Sequence, residues 1–302
     1  MRPSFLLEIV ALKLMIKKLV NIVSPETVPE LDRAYEYLES RYPPGEDPWG
    51  LNLKVHRRFL YRCHTLYRDY FKVRVFGKEN VEDRPYMITA NHTGQVALDG
   101  MLVDIAFLKE INPPRVVRPM LERFMPKIPF VGTWCAESGG VLGDRENCRK
   151  LLKWGESVLV FPEGVRGINK PMDKFYELQD FTRGFYRLAA SARIQILPTA
   201  VVGAEEFFPL VVQAKFLGKY LGIPSIPLSP SLIPLPSPVD IHIGQPHEIP
   251  EDIHENSPDE VIDEQVALIE QQVKDMIISG LKTRREFWGS RDTNEILGRL
   301  EP

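Results

Sequence analysis

Residues 86–108 read YMITANHTGQVALDGMLVDIAFL. The run over 86–90 is short and mostly apolar, and it lies between Pro85 and the polar Asn91, the pattern of a buried strand. Gly94 sits in the polar stretch that follows, and the apolar run over 100–108 predicts a helix. The unit is strand, turn, helix, and it repeats downstream. A strand around Val116 and Val117 precedes a helix over 148–154, a strand over 157–161 precedes a helix over 181–191, and a strand follows over 194–202. Strands alternating with helices imply an α/β domain with a mostly parallel sheet and helices on both faces. In such a domain the working residues belong in the loops at the strand ends.

The flanks read differently. Upstream, 71–76 alternates as a strand, 51–70 is a basic aromatic helix, and 24–48 is a proline-bracketed arm with a helical patch over 30–41. At the N-terminus, Phe5, Ile9, Leu12, Ile16, Leu19 and Val23 recur at helical spacing with Lys13 and Lys17 on another face. Glu8, Lys13, Lys17 and Lys18 interrupt the run, whereas a spanning helix needs about 20 mostly uncharged residues. The expectation is an amphipathic helix, lying either in a membrane interface or on the domain. The segment 207–239 is apolar and proline-rich, which suits an interfacial segment, a lipid-tunnel wall or plain core cover. Near the C-terminus, Ser257 is placed as a helix N-cap, Pro258 as the first helical residue and Gly280 as the stop of a helix ending about Ile278. The expected division is an amphipathic helix and arm over 1–48, an α/β domain over 49–250 and a helical extension over 251–302.

With 44% hydrophobic and 26% charged residues in 302, the chain has the composition of a packed protein. A net charge of -3 argues against a nucleic-acid-binding surface. Cys63, Cys135 and Cys148 are widely spaced with no C-x-x-C pair, so a reduced compartment and no metal site are expected.

Three loops carry candidate chemistry. In the first, His92 is a base titrating near neutrality, and Asp99 is a carboxylate able to fix its tautomer. On one continuous helix, seven positions would separate them by about 10.5 Å, so the pair requires the chain to loop back after His92. The alternative makes Asp99 the N-cap of the next helix and His92 a turn residue. In the second loop, Phe161-Pro162-Glu163-Gly164-Val165-Arg166-Gly167 offers glycines around an arginine able to grip a phosphate, with Lys170 adding charge. The third, Gly139-Gly140-Val141-Leu142-Gly143-Asp144-Arg145, is a glycine-rich turn before a helix, a place for an anion. Neither glycine spacing is that of a Walker loop or a dinucleotide fingerprint.

Taken together and in order, these segments resemble the glycerolipid acyltransferase family, which includes glycerol-3-phosphate and lysophosphatidic acid acyltransferases. Asn91, His92 and Asp99 look like the family's first block, and Gly139 to Arg145 resembles its second with Leu142 in a phenylalanine place. Phe161, Pro162, Glu163, Gly164 and Arg166 look like the third, and Ile196, Leu197 and Pro198 like the fourth. Six residues separate His92 from Asp99 where the family commonly has four. Asp104 lies too far into the helix to replace Asp99.

The resemblance implies a membrane-associated O-acyltransferase. His92 is its general base and Asp99 the orienting carboxylate; Arg145 and Arg166 hold an acceptor phosphate, Glu163 and Gly164 shape that site, and amides near Gly94 support the oxyanion. It implies acyl-CoA or acyl-acyl carrier protein as co-substrate, no other cofactor, a glycerolipid acceptor, and attachment to the cytosolic face of a membrane. Transfer to diacylglycerol or another lipid alcohol, or a silent lipid-binding protein, are the alternatives.

Overall fold

The computed structural model describes residues 28–93, 98–123, 125, 131–168, 170–208, 212–214, 226–228, 233–284 and 293–301. The expected amphipathic helix over 5–23 lies outside the described residues, as does most of the apolar stretch after Phe208.

Two helices come first, α1 (Pro29–Arg41) and α2 (Leu53–Thr65), the second capped by Asn52, whose side chain accepts from the amides of Lys54 and Val55. Strand β1 (Arg74–Phe76), β2 (Met87–Ala90), α3 (Leu98–Lys109), β3 (Val117–Leu121), α4 (Val131–Glu137) and β4 (Val141–Leu142) follow. Next are α5 (Arg145–Lys153), β5 (Ser157–Val160), the single turn α6 (Val165–Ile168), α7 (Gly184–Ala192) and β6 (Ile196–Val202). The chain closes with a hairpin of β7 (Val212–Ala214) and β8 (Ile226–Leu228), then β9 (Asp240–Ile243), α8 (Asp259–Lys282) and α9 (Thr293–Leu300).

Seven strands form one sheet in the order β1-β9-β6-β2-β5-β3-β4. Strands β2 to β6 run parallel, and β9 joins β6 antiparallel. Alternate residues feed two cores. Ile88, Leu159, Leu197 and Val201 pack with the helices α1, α2 and α3, while Met87, Val158, Ile196, Ala200 and Val202 pack with α5, α7 and α8. A strand buried on both faces reads as a continuous apolar run, which is why SVLV and ILPTAVV carry little charge.

Two sequence expectations about the last long helix are corrected. Ser257 does not cap it; its hydroxyl accepts the backbone N–H of His254, and the helix starts after Pro258. Gly280 does not stop it either, for α8 continues to Lys282. A Cβ there would stand 2.8 Å from His242 Nε2 and 2.9 Å from Val202 Cγ2, so the glycine lets the helix lie close on the sheet.

Candidate active site

Because β2, β3, β4 and β5 are parallel, their C-terminal ends emerge along one edge, and their loops enclose a cavity of about 250 Å³. His92 comes from the end of β2, Glu122 from β3, Gly143 to Arg145 from β4, and Phe161, Pro162 and Gly164 from β5. The wall toward α5 and α7 is Cys148, Phe185 and Leu188, with Thr182 nearby.

The chain after β2 does turn back. Asp99 Oδ2 accepts His92 Nδ1 at 2.8 Å and the Thr93 amide at 2.8 Å, while Oδ1 accepts the Gly100 amide at 2.8 Å. Asp99 is wholly buried and belongs to the first turn of α3, and the imidazole keeps 12% exposure toward the cavity. With Nδ1 held by the carboxylate, Nε2 is the nitrogen left to meet a ligand. The segment over 94–97, including Gly94, lies outside the described residues. Asp104 is engaged elsewhere: its Oδ2 meets His56 at 2.8 Å in the core, and Tyr35 binds the other His56 nitrogen at 2.8 Å.

The second loop meets the first because of strand register. Thr89 pairs with Val160, and three residues beyond each lie His92 and Glu163. The Glu163 carboxylate accepts the backbone N–H of His92 at 2.8 Å through Oε1 and that of Gln179 at 2.8 Å through Oε2. The turn itself closes by Gly164 N–H donating to the Phe161 carbonyl at 2.9 Å, with Gly164 at φ +57°, where a side chain would strain it. Phe161 stacks on the His92 ring, centroids 4.1 Å apart and planes 13° from parallel. Gly167 is required by contact: its Cβ would stand 2.8 Å from His92 Cβ.

Of the expected site residues, His92, Asp99, Arg145 and Gly164 come together, the two last lining the cavity with His92. Asp144 caps α5 by accepting the Asn147 amide at 2.8 Å, which presents Arg145 at the helix start. Glu163 acts on the site from beneath and not as a substrate contact, since it is buried with its oxygens on two amides and the Lys170 ammonium. The expectation for Arg166 is corrected. Arg166 does not line the cavity; it is exposed and donates to the Asp180 carbonyl at 2.8 Å. Asn91 proves to be a clamp, its amide donating to the Val201 carbonyl at 3.0 Å and accepting the Val201 N–H at 2.8 Å across β2 and β6. Sequence reading missed the amides of Thr93 and Gly100 and the Phe161 stack. A backbone donor leaves no mark in a sequence, whereas Phe161, the first residue of the second loop's motif, was named there without its stacking role.

A family model described as Acyltransferase matches residues 72–202, a span that includes His92, Asp99, Arg145 and Gly164. An uncharacterized protein of Mycobacterium leprae is 32% identical over 212 residues, 67% of this chain and 57% of that protein. The 1-acyl-sn-glycerol-3-phosphate acyltransferase alpha of Mus musculus is 28% identical over 169 residues, 52% of this chain and 54% of the mouse protein. Among solved structures, that of the 1-acyl-sn-glycerophosphate (LPA) acyltransferase PlsC from Thermotoga maritima has a TM-score of 0.49 at 20% identity, covering 79% of this chain and 80% of that one. Over residues 72–202 the chain belongs to the Acyltransferase family. It spans little more than half the length of the mycobacterial and mouse relatives it matches.

Proposed function

We propose that the protein is an O-acyltransferase that moves a fatty acyl group from acyl-CoA or acyl-acyl carrier protein to a hydroxyl of a phosphate-bearing glycerolipid precursor. Lysophosphatidic acid and glycerol-3-phosphate are the acceptors it would take. The observation that carries this reading is the His92–Asp99 pair, 2.8 Å apart, with His92 lining the cavity of a chain in this family.

In the proposed reaction, His92 Nε2 takes the acceptor hydroxyl proton as that oxygen attacks the thioester carbonyl. The new C–O bond forms, the C–S bond breaks, and the departing thiolate receives the proton from the imidazolium. Asp99 supports the positive imidazolium, and no covalent acyl-enzyme is required. Arg145, at the positive start of α5, is the phosphate contact. Arg166, outside the cavity lining, is assigned no direct contact. Membrane attachment is assigned to residues 1–23; among the described residues no helix is long and apolar enough to cross a membrane. Glu122 shares the cavity with Arg145, and its negative charge favours a second reading in which the acceptor is diacylglycerol or another lipid alcohol.

The test is thiol release from a long-chain acyl-CoA by the purified protein, with lysophosphatidic acid, glycerol-3-phosphate and diacylglycerol offered in turn. Release that depends on a phosphorylated acceptor, is abolished by His92→Ala and shows a raised acceptor KM in Arg145→Ala supports the proposal. Release only with diacylglycerol selects the second reading, and full activity in a folded His92→Ala variant refutes the base.

A further inference from the structure

Lys170 follows the glycine-arginine turn, where sequence alone assigns its charge to the acceptor. Its ammonium lies inside the protein instead, 4% exposed, 2.8 Å from Glu205 Oε1 and 3.5 Å from Glu163 Oε2. It also donates to the Glu177 carbonyl at 3.1 Å. Glu205, on the turn after β6, spends its other oxygen on the Tyr176 amide at 2.6 Å. Two carboxylates therefore share one buried site. Without a cation between them, one would take up a proton or move away.

Burial disfavours the Lys170 ammonium, but the charges of Glu205 and Glu163 outweigh it and hold Lys170 above the ordinary lysine range. The geometry reaches further than the pair. Glu163 holds the His92 backbone, and the loop that Lys170, Tyr176 and Gln179 tie down leads into Thr182, which lines the cavity and donates its amide to the Pro162 carbonyl at 3.3 Å.

We propose that Lys170 is a positioning residue: its ammonium, set between Glu163 and Glu205, holds the Glu163 carboxylate on the His92 backbone and the 170–182 loop against the cavity. It touches no substrate. The kinetic part of this inference rests on the acyltransferase reading, and the spectroscopic part does not.

The experiment compares the full chain with Lys170→Met and with Lys170→Met/Glu205→Gln, measuring kcat, acceptor KM and the His92 ring resonance by ¹³C–¹H NMR, assigned with His92→Gln. Lys170→Met should lower kcat by about 10- to 100-fold, the scale of a small misplacement of a catalytic group, with acceptor KM within about twofold. The His92 resonance should move while that of the exposed His254 stays. The double variant removes one charge of each sign and should restore most of kcat and the His92 resonance. Unchanged kcat and resonance in Lys170→Met overturn the proposal, as does a loss that the second substitution leaves in place with KM rising alongside. If the unsubstituted protein releases no thiol, the acyltransferase reading fails while the His92 resonance still decides the clamp. Should Lys170→Met not fold, Glu163→Gln takes its place, since an amide oxygen kept toward the Gln179 N–H and the ammonium turns its NH2 against the His92 N–H; an unmoved His92 resonance there overturns the proposal.

Discussion

Replacing Asp99 by asparagine removes one charge from the centre of the proposed reaction, together with the acceptor of the Gly100 amide. Asp99 receives three donors at Oδ2, from His92 Nδ1, the Thr93 amide and, at 3.4 Å, the Thr93 hydroxyl, and one at Oδ1, from the Gly100 amide. An asparagine satisfies more of them with its oxygen at the Oδ2 position, so the imidazole keeps the tautomer with Nδ1 protonated. What the reaction loses is the attraction between a carboxylate and the imidazolium formed during acyl transfer. For unit charges about 4 Å apart at an effective dielectric near 20, that attraction is about 4 kcal/mol. If the proton is half transferred in the transition state the loss is about 2 kcal/mol, so Asp99→Asn should lower kcat by roughly 30- to 900-fold. Thiol release at saturating acceptor measures this, with acceptor KM expected to stay near its starting value because Asp99 is buried away from the cavity. A kcat within about fivefold of the unsubstituted protein, in a variant of unchanged fold, would refute the imidazolium-stabilising role.

Gly167→Ala should lower activity and cost about 1–3 kcal/mol of stability, because its Cβ would press on His92 Cβ at 2.8 Å and Glu163 Cβ at 3.0 Å; denaturant unfolding and thiol release read both. Asn91→Ala should cost about 2–5 kcal/mol, since it leaves the Val201 N–H and carbonyl unpaired between two central strands; an unfolding midpoint equal to that of the unsubstituted protein would exclude the clamp. Burial holds His64, His242 and His247 below the ordinary histidine range. The unfolded chain therefore takes up protons first, and these groups' contribution to stability falls as pH drops below about 6.5 toward their depressed values. Thermal unfolding at pH 7.5 and 5.5 should show the loss, and His64→Gln should shrink the difference between the two midpoints.

The sheet was legible because strands buried on both faces are short unbroken apolar runs, and those over 86–90, 157–161 and 194–202 lie within two residues of β2, β5 and β6. Helix ends were less legible. Asp144 caps α5 so that it starts at Arg145, three residues before the expected start at Cys148, because capping is a local polar choice that hydrophobic spacing does not report. The candidate site was legible as residue types at strand ends: His92, Asp99, Arg145 and Gly164 stand where the motif order puts them.

What the sequence by itself determined was the strand–turn–helix order and the loops in which chemistry belongs, since both follow from local periodicity and turn chemistry. Only the tertiary structure decided which charges meet the cavity. The register of β2 on β5 puts Glu163 under the His92 backbone, and Glu205, distant in the chain, draws Lys170 inward. Arg166 stays outside the cavity lining, on the Asp180 carbonyl. Lysine and arginine beside a glycine turn read alike in sequence as ligands for a phosphate, and the glutamate ahead of them as part of the same site. Which of them is spent on the protein depends on burial and partners supplied by strands far apart in the chain.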